Sequence, residues 1–302
     1  MSLIKKTIVN NNLIDSEKLD TMMILQGKIM AELNKQKTSK NIQDYEFKVF
    51  SQNGEDGIIQ HLIDKIDVKN KTFIEFGVES YQEANTRFLI ENDNWSGLII
   101  DGSEEYMNGV KYSTLGWKRD IKAVAKFIDK DNINDIFKDA GMTGEIGILS
   151  VDIDGNDYWV FKAIDCVNPQ ILIMEYNSLF GANDNVTVPY DKNFVRGNAH
   201  YSNLYYGASI GALTKIANER GYDLVGSNSF GNNIFFVRHD CNTLGISLTA
   251  KEAYVKSKFK ESRNEEGTLT YLGHEEALKM LSEMDLYDIS NDKLIKIKDL
   301  SL

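Results

Sequence analysis

Five apolar segments between residues 72 and 175 each end in or are directly followed by an acidic residue. These acids are Glu75, Asp101, Asp129, Asp152 and Glu175. Stretches of helical length separate the segments, and strands that alternate with helices form mostly parallel sheets. Open sheets of this kind bind ligands at the carboxyl ends of their strands. The pattern therefore predicts a Rossmann-like α/β domain with helices on both faces and a row of carboxylates at its ligand-binding edge.

The apolar runs predict seven strands with five helices among them. The expected strands are Thr72–Glu75, Gly97–Ile100, Val124–Ile128, Ile146–Val151, Ile171–Glu175, Leu224–Val225 and Ile234–Val237. The expected helices lie near Gly57–Lys65, Glu83–Glu91, Ile133–Asp139, Tyr158–Ile164 and Ser209–Arg220. Only a Gly- and Asn-rich turn separates the last two strands, so we expect them to pair antiparallel.

Two further segments flank this domain, which we place at residues 45–240. Residues 1–44 form a helical arm, because an apolar stripe recurs within residues 14–37 at steps of three and four: Leu19, Met22, Leu25, Ile29 and Leu33. The stripe either packs on its own domain or joins a partner helix in a homo-oligomer. Residues 241–302 are predicted to be a helical extension that packs on the same domain, with helices near Lys251–Lys258 and Glu275–Asp285.

Charge and composition exclude several classes of protein. The chain has 34 Lys and Arg residues against 45 Asp and Glu residues, a net charge of −11, which argues against a general electrostatic grip on nucleic acid. No apolar run approaches the roughly 18 to 20 residues of a membrane helix, and the first residues do not resemble a signal peptide. Two cysteines, Cys166 and Cys241, form no disulfide framework. We expect a cytoplasmic protein.

The first two strand ends suggest a nucleotide-binding crevice. The first strand ends at Glu75 and turns through Gly77, with one glycine where dinucleotide sites have three. Asp101 follows 26 positions after Glu75, where a carboxylate can accept hydrogen bonds from two ribose hydroxyls. The alternative is a turn aspartate before Gly102. Asp129, after the third strand, either accepts from an adenine amino group or caps a helix.

The fourth strand runs into the densest acidic cluster of the chain. Asp152, Asp154 and Asp157 follow within seven residues of Val151, and Glu175 and Asn177 follow the fifth strand. Carboxylates this close repel one another, so we expect a cationic group or a hydrogen-bond network to compensate them. The alternative is a chance group of loop acids.

Together these residues resemble a class I S-adenosylmethionine-dependent methyltransferase, and more narrowly the FkbM-type family. The E-F-G-V of Glu75–Val78 is similar to the family's cofactor-binding first motif, and Asp101 to its ribose carboxylate. The blocks SQNGEDGII at 51–59, LSVDIDGNDYWVFKAI at 149–164 and the segment Tyr205–Arg238 also resemble the family. The likeness covers about residues 45 to 238.

The resemblance implies a seven-stranded sheet with its last strand reversed, S-adenosylmethionine as cofactor, and O-methylation of a sugar hydroxyl on a nucleotide-linked or surface-polysaccharide precursor. The motif at Gly77 lacks the second glycine of the broader class. Cofactor binding is therefore expected to depend on neighbouring side chains. The expected cofactor-binding residues are Gln52, Asn53, Glu75, Gly77, Asp101, Gly102, Asp129 and Asp152.

Methyl transfer to oxygen needs an aligned acceptor and a base that removes its proton. His200, in the long insertion before the Tyr206 segment, is one candidate, and a solvated loop histidine is its alternative. Asp152 or Asp154 is another candidate base, or these two acids and Glu175 hold Mg²⁺, which prefers oxygen ligands. Metal dependence stays open.

The insertion between residues 178 and 203 mixes cationic and aromatic side chains, which suits a nucleotide diphosphate, although an ordinary mobile lid has the same composition. The expected substrate-binding residues are Glu175, Asn177, Lys192, Arg196, Tyr201 and Tyr206. Two rival functions are weighed: an NAD-dependent sugar oxidoreductase or epimerase, which the missing glycines disfavour, and a non-catalytic nucleotide-binding scaffold built on the N-terminal helix.

Overall fold

The computed structural model describes the backbone of residues 3–301 and the side chains of residues 17–301. The strands are β1 Thr72–Phe76, β2 Ser96–Asp101, β3 Ile121–Ala125, β4 Gly144–Val151, β5 Val167–Glu175, β6 Val186–Thr187, β7 Tyr222–Ser227, β8 Asn233–Arg238, β9 Asp285–Asp288 and β10 Lys293–Lys296. The helices are α1 Leu3–Asn34, α2 Glu55–Lys65, α3 Arg87–Asn92, α4 Glu104–Lys111, α5 Thr114–Lys118, α6 Ile133–Asp139, α7 Asp157–Ala163, α8 Arg196–Ala199, α9 Ile210–Glu219, α10 Ala250–Ala253 and α11 His274–Met280.

Within the described chain, the main sheet has seven strands in the order β3-β2-β1-β4-β5-β8-β7. The β1–β2, β2–β3, β1–β4 and β4–β5 pairs are parallel, whereas β8 runs antiparallel to both β5 and β7. The predicted Rossmann-like sheet, its reversed last strand and the antiparallel pairing of the last two strands are therefore confirmed.

The central strands are buried on both faces, which explains their near-continuous apolar sequences. In β1, Ile74 and Phe76 join a core cluster on one face of the sheet, while Phe73 joins the cluster on the other. Neighbouring β2 alternates in the same way, with Leu98 on the first face and Ile99 on the second. Helices cover both faces, and this buried frame holds the carboxyl ends of β1, β2, β4 and β5 in fixed positions.

Several predicted boundaries differ from the structure, and two of them lie next to the ligand-binding edge. Strand β3 ends at Ala125 rather than at residue 128, because its partner β2 ends at Asp101 and the register pairs these two residues. Helix α3 begins at Arg87 rather than near residue 83, because the segment before it is a loop with a positive φ at Glu79 and Tyr81. These loops form walls of the cavity described below.

The C-terminal extension was predicted to be helical, but it contains the β9–β10 hairpin as well as two short helices. Strand β9 pairs with β6 of the insertion, and a small separate core joins Phe180 and Val186 of the insertion to Leu281 and Leu286. The expected helix at 251–258 stops at Ala253. Beyond it the chain has no helical hydrogen bonds, because the N–H groups of Val255, Ser257 and Lys258 donate to Tyr176, Ser178 and Phe230 instead.

Helix α1 packs on the domain with the face opposite to the predicted stripe. Gly27 lies against Val49 and Phe88, and Arg87 forms an ion pair with Asp20 at 2.9 Å. The stripe is solvent-exposed, at 50–61% of each side chain: Leu19, Met22, Leu25, Ile29 and Leu33. Packing of the stripe on its own domain was therefore the wrong alternative. Among residues 3–301, no helix is long and apolar enough to cross a membrane.

Candidate active site

A cavity of about 610 Å³ opens at the carboxyl ends of β1, β2, β4 and β5, as the sequence predicts for an open sheet. The insertion, the β7–β8 turn and the C-terminal extension complete its walls. Ten of the predicted site residues line this cavity: Gln52, Glu75, Gly77, Asp101, Gly102, Asp152, Asp154, Glu175, Arg196 and Tyr206.

The loop after β1 is held by Glu75 and by close packing of Gly77. The buried Glu75 carboxylate accepts hydrogen bonds from the backbone N–H groups of Asn85 and Thr86 at 2.8 and 3.0 Å, and burial raises its pKa to about 7. Gly77 has φ +77°, and a Cβ atom there would overlap the carbonyl oxygen of Asp152. Only glycine lets the β1 loop lie directly on the end of β4.

The end of β2 presents Asp101 to the same cavity. One carboxylate oxygen accepts from the N–H of Glu79 at 2.9 Å and the other from the N–H of Ser103 at 2.8 Å. Each oxygen keeps a further lone pair for a ligand hydroxyl. Beside Gly102, the half-exposed ring of Phe127 adds an aromatic surface to the wall.

Asp129 lies outside the cavity lining, and its carboxylate is occupied. One oxygen accepts from the N–H groups of Asp131 and Asn132 at 2.8 and 2.9 Å, which is the helix-capping alternative. The other oxygen is 3.3 Å from the ammonium of Lys192. Asp129 and Lys192 therefore pair with each other, and neither of them lines the cavity.

Asp152, Asp154 and Glu175 converge at the base of the cavity, where one oxygen of each lies within 4.8 Å of the others. Burial first, and then repulsion from the neighbouring acids, raises the pKa values of Asp152 and Glu175 well above their usual range. The guanidinium of Arg196 pairs with Asp154 and lies 3.8 Å above the ring of Tyr206. Arg196 is thus the cation that such an acidic cluster requires.

Asp157 does not belong to this cluster, although the sequence grouped it there. Its carboxylate accepts from the N–H groups of Ile153 and Gly155 at 2.8 and 2.9 Å, and burial raises its pKa to about 6. Asp157 therefore shapes the loop that carries Asp152 and Asp154.

The three convergent acids also fit a hard divalent cation such as Mg²⁺. Each offers a carboxylate oxygen, and Oε2 of Glu175 is buried with no hydrogen-bond partner among residues 17–301. Arg196 competes with a metal for Asp154, so the cluster can be neutralised in either way.

The structure leaves four more predicted residues outside the cavity lining. Nδ1 of His200 is 2.8 Å from the hydroxyl of Ser202, its ring lies beside Tyr201, and burial lowers its pKa. Asn177 caps the turn before residue 180 and donates to two backbone carbonyls, while Asn53 bonds to neighbouring amides. None of these residues is in contact with the cavity, so His200 is not placed to act as the base.

Gln52 lines the cavity, and two buried acids of the block at residues 51–59 hold that block in place. Oε1 of Glu55 accepts from the side-chain amides of Asn228 and Asn233 at 2.6 and 3.1 Å, and Asp56 accepts from three backbone N–H groups. This network ties the block to the β7–β8 turn.

Several lining residues had no signal of function in the sequence. The Gly- and Asn-rich turn before β8 was noted only as a turn, and the extension was expected to be a cap. The residues concerned are Phe127, Asn232, Asn233, Ser257 and Phe259.

The sheet with its reversed β8 and the cavity at its carboxyl edge define an open, Rossmann-like α/β domain. No protein-family model matches the chain, and a search of curated proteins finds no match. Its fold is similar to the N-terminal domain of EvdMO1 with S-adenosylhomocysteine bound, at 10% identity and a TM-score of 0.41, over 62% of this chain and 82% of that one.

An O-methyltransferase from Bacillus cereus in complex with S-adenosylhomocysteine matches at 11% identity and a TM-score of 0.40, over 72% of this chain and 91% of that one. The CurJ carbon methyltransferase matches at 9% identity and a TM-score of 0.40, over 66% of this chain and 57% of that one. Likenesses of this size assign no activity to the chain, so its function is argued from the site.

Proposed function

We propose that this chain is an S-adenosylmethionine-dependent O-methyltransferase that acts on a sugar hydroxyl. The observation that carries the proposal is the charge of the cavity. Seven acidic residues line it against two basic ones, Lys126 and Arg196; the acids are Glu75, Glu79, Glu83, Asp101, Asp152, Asp154 and Glu175. Burial raises the pKa values of Glu75, Asp152 and Glu175, but the other four acids still outnumber the two basic residues. Such a lining attracts a sulfonium cofactor and repels the diphosphate of a dinucleotide, which counts against the oxidoreductase alternative.

The cofactor would occupy the half of the cavity at β1 and β2. Asp101 would accept the ribose hydroxyls, Gly77 would let the ligand approach the backbone, and Phe127 would face the adenine ring. The cofactor supplies the methyl group, so the protein's own residues need only bind it, align an acceptor oxygen and take up a proton.

The acceptor half of the cavity is polar, and among the described residues the only basic ones in the cavity lining are Lys126, which follows β3, and Arg196. The side-chain amides of Gln52, Asn232 and Asn233 line it together with Glu175. Amides and carboxylates suit the hydroxyls of a neutral sugar. Arg196 is paired with Asp154, which leaves it unsuited to a diphosphate. We therefore favour a neutral sugar of a polysaccharide precursor over a nucleotide-linked one.

Asp152 is the best-placed general base. Burial raises its pKa, so its carboxylate form is a stronger base than an ordinary aspartate, whereas the carboxylate of Asp154 is engaged by the guanidinium of Arg196. The acceptor hydroxyl proton would pass to Asp152, with Glu175 beside it to share the proton. General-base catalysis of this kind contributes roughly 10²–10⁴-fold.

Calorimetry and label transfer test the proposal. S-adenosylhomocysteine is expected to bind more tightly than NAD, and Asp101→Asn is expected to weaken it, while Asp240→Asn on the distant surface leaves it unchanged. Tighter binding of NAD would refute the cofactor assignment. A labelled methyl group that is never transferred from S-adenosylmethionine to any sugar would favour the scaffold alternative.

We also propose that a second copy of the chain covers the exposed stripe of α1. Lys18 and Glu32 are equidistant from Leu25 along the helix, and both are exposed. In an antiparallel pair of α1 helices, Lys18 would meet the partner's Glu32 at both ends, so this face is self-complementary in charge as well as apolar. The existing contact of Glu32 with Lys35 is exposed and easily exchanged.

A further inference from the structure

The C-terminal extension crosses the mouth of the cavity in an extended stretch, residues 255–259. The hydroxyl of Tyr176 donates to the carbonyl of Val255 at 2.6 Å, the N–H of Ser257 donates to the hydroxyl of Ser178 at 3.0 Å, and the N–H of Lys258 donates to the carbonyl of Phe230 at 2.9 Å. The stretch is therefore anchored at three places along its length.

Gly231 allows this crossing. It has φ +82°, and a Cβ atom there would lie 2.6 Å from the carbonyl oxygen of Val255 and 2.8 Å from the carbonyl carbon of Lys256. The β7–β8 turn and the extension thus touch backbone to backbone. The contact places Ser257 and Phe259 beside Asn232 in the cavity wall.

Phe259 presents an exposed aromatic ring to the cavity, since it is 47% exposed and lines the cavity wall. Hydrogen-bonding groups lie around the same part of the wall: Nδ2 of Asn232 is 3.4 Å from Oε1 of Gln52, and Asn233 pairs in register with Glu175. An open aromatic face among amides and a carboxylate matches a pyranose, whose ring has an apolar C–H face and a hydroxyl rim.

We propose that Phe259 is the platform on which the acceptor sugar stacks, and that residues 255–259 of the extension select the sugar. This inference rests on the proposed function and extends it, because it assigns acceptor recognition to a part of the chain outside the α/β domain. The ring would bury the C–H face, while the amides would read the hydroxyl positions.

Saturation-transfer NMR tests the platform without turnover. The probes are methyl α-D-glucopyranoside, methyl α-D-galactopyranoside and methyl α-D-mannopyranoside, each added to protein saturated with S-adenosylhomocysteine. Phe259→Ala is expected to weaken the best-bound glycoside about tenfold, and Phe259→Trp to keep it, because stacking needs only an aromatic face. Affinity for S-adenosylhomocysteine should be unchanged in both variants.

Tyr271→Ala is the matched control, since Tyr271 is an exposed aromatic of the same extension that does not line the cavity. Equal glycoside binding by wild type and Phe259→Ala would overturn the inference, as would an equal loss in Tyr271→Ala. Binding of S-adenosylhomocysteine without any of the three glycosides would also overturn it. Failure of S-adenosylhomocysteine itself to bind would instead overturn the proposed function.

Discussion

The carbonyl oxygen of Asp152 packs against the α-carbon of Gly77 so closely that no side chain fits between them. This contact fastens the loop after β1 to the loop after β4, and the two loops together form the floor of the cavity. A change in the position of one loop should therefore move both the proposed cofactor site and the proposed base, Asp152.

Gly77→Ala should separate these loops. The added Cβ meets backbone, and the positive φ disfavours alanine, so we expect a loss of about 1–3 kcal/mol in the free energy of unfolding and at least tenfold weaker S-adenosylhomocysteine binding. Thermal unfolding and calorimetry measure both. Gly109→Ala, on α4 with no atom near its Cβ position, should do neither. Wild-type affinity in Gly77→Ala would show that the contact is dispensable.

Stability of the ligand-free protein should fall as pH rises from about 4.5 to 7. Burial raises the pKa of Glu75 from about 4.5 to about 7, so the folded state keeps a proton in this range that the unfolded chain has lost. Glu75→Gln should remove up to about 3 kcal/mol of that dependence. Urea unfolding at several pH values measures it. Exposed Glu104→Gln is the control, and an unchanged slope in Glu75→Gln would contradict the assignment.

Arg196→Gln should shift the acid limb of the pH profile of methyl transfer to higher pH. The guanidinium lowers the pKa values of Asp152 and Glu175, so its loss leaves the proposed base protonated to higher pH. The profile of kcat/KM measures the shift. Lys192→Gln, which removes the partner of Asp129 outside the cavity, should leave the profile in place. An unchanged profile in Arg196→Gln would show that neither Asp152 nor Glu175 is the group whose titration sets the acid limb.

Methyl transfer should persist within about twofold in excess EDTA. Arg196 already pairs with Asp154, so the acidic cluster has a cation of its own. Rates with EDTA, and with EDTA followed by Mg²⁺, measure the requirement. Collapse of activity with EDTA and recovery with Mg²⁺ would instead assign a metal to Asp152, Asp154 and Glu175.

The chain should dimerise through α1. Leu25→Lys combined with Ile29→Lys places charge in the middle of the apolar face and should give a monomer in sedimentation experiments at concentrations where the wild type is dimeric. Leu294→Lys, on an equally exposed apolar residue of β10, should not.

A charge exchange tests the proposed orientation of that dimer. Lys18→Glu should weaken the dimer, and the double variant Lys18→Glu with Glu32→Lys should restore it, because the pairing recurs at both ends. A wild-type monomer, or a double variant weaker than either single one, would refute the antiparallel arrangement.

Sequence alone determined the sheet and the positions of its acids. The runs around Ile74, Leu98, Leu149 and Leu172 are long and apolar because those strands are buried on both faces, and burial of this kind leaves a local pattern. The carboxyl ends of such strands must meet at one edge, so Glu75, Asp101, Asp152 and Glu175 could be placed together from the sequence.

Only the tertiary structure decided how the side chains at that edge are used. Asp101 and Asp129 follow similar strands, yet one faces the cavity and the other caps a helix and holds Lys192, because partner choice depends on long-range packing. Arg196 rather than His200 reaches the acids for the same reason. The extension carries Phe259 into the cavity wall because Val255 bonds to Tyr176 and Lys258 bonds to Phe230, both far away in the chain, and no periodicity in a sequence records such contacts.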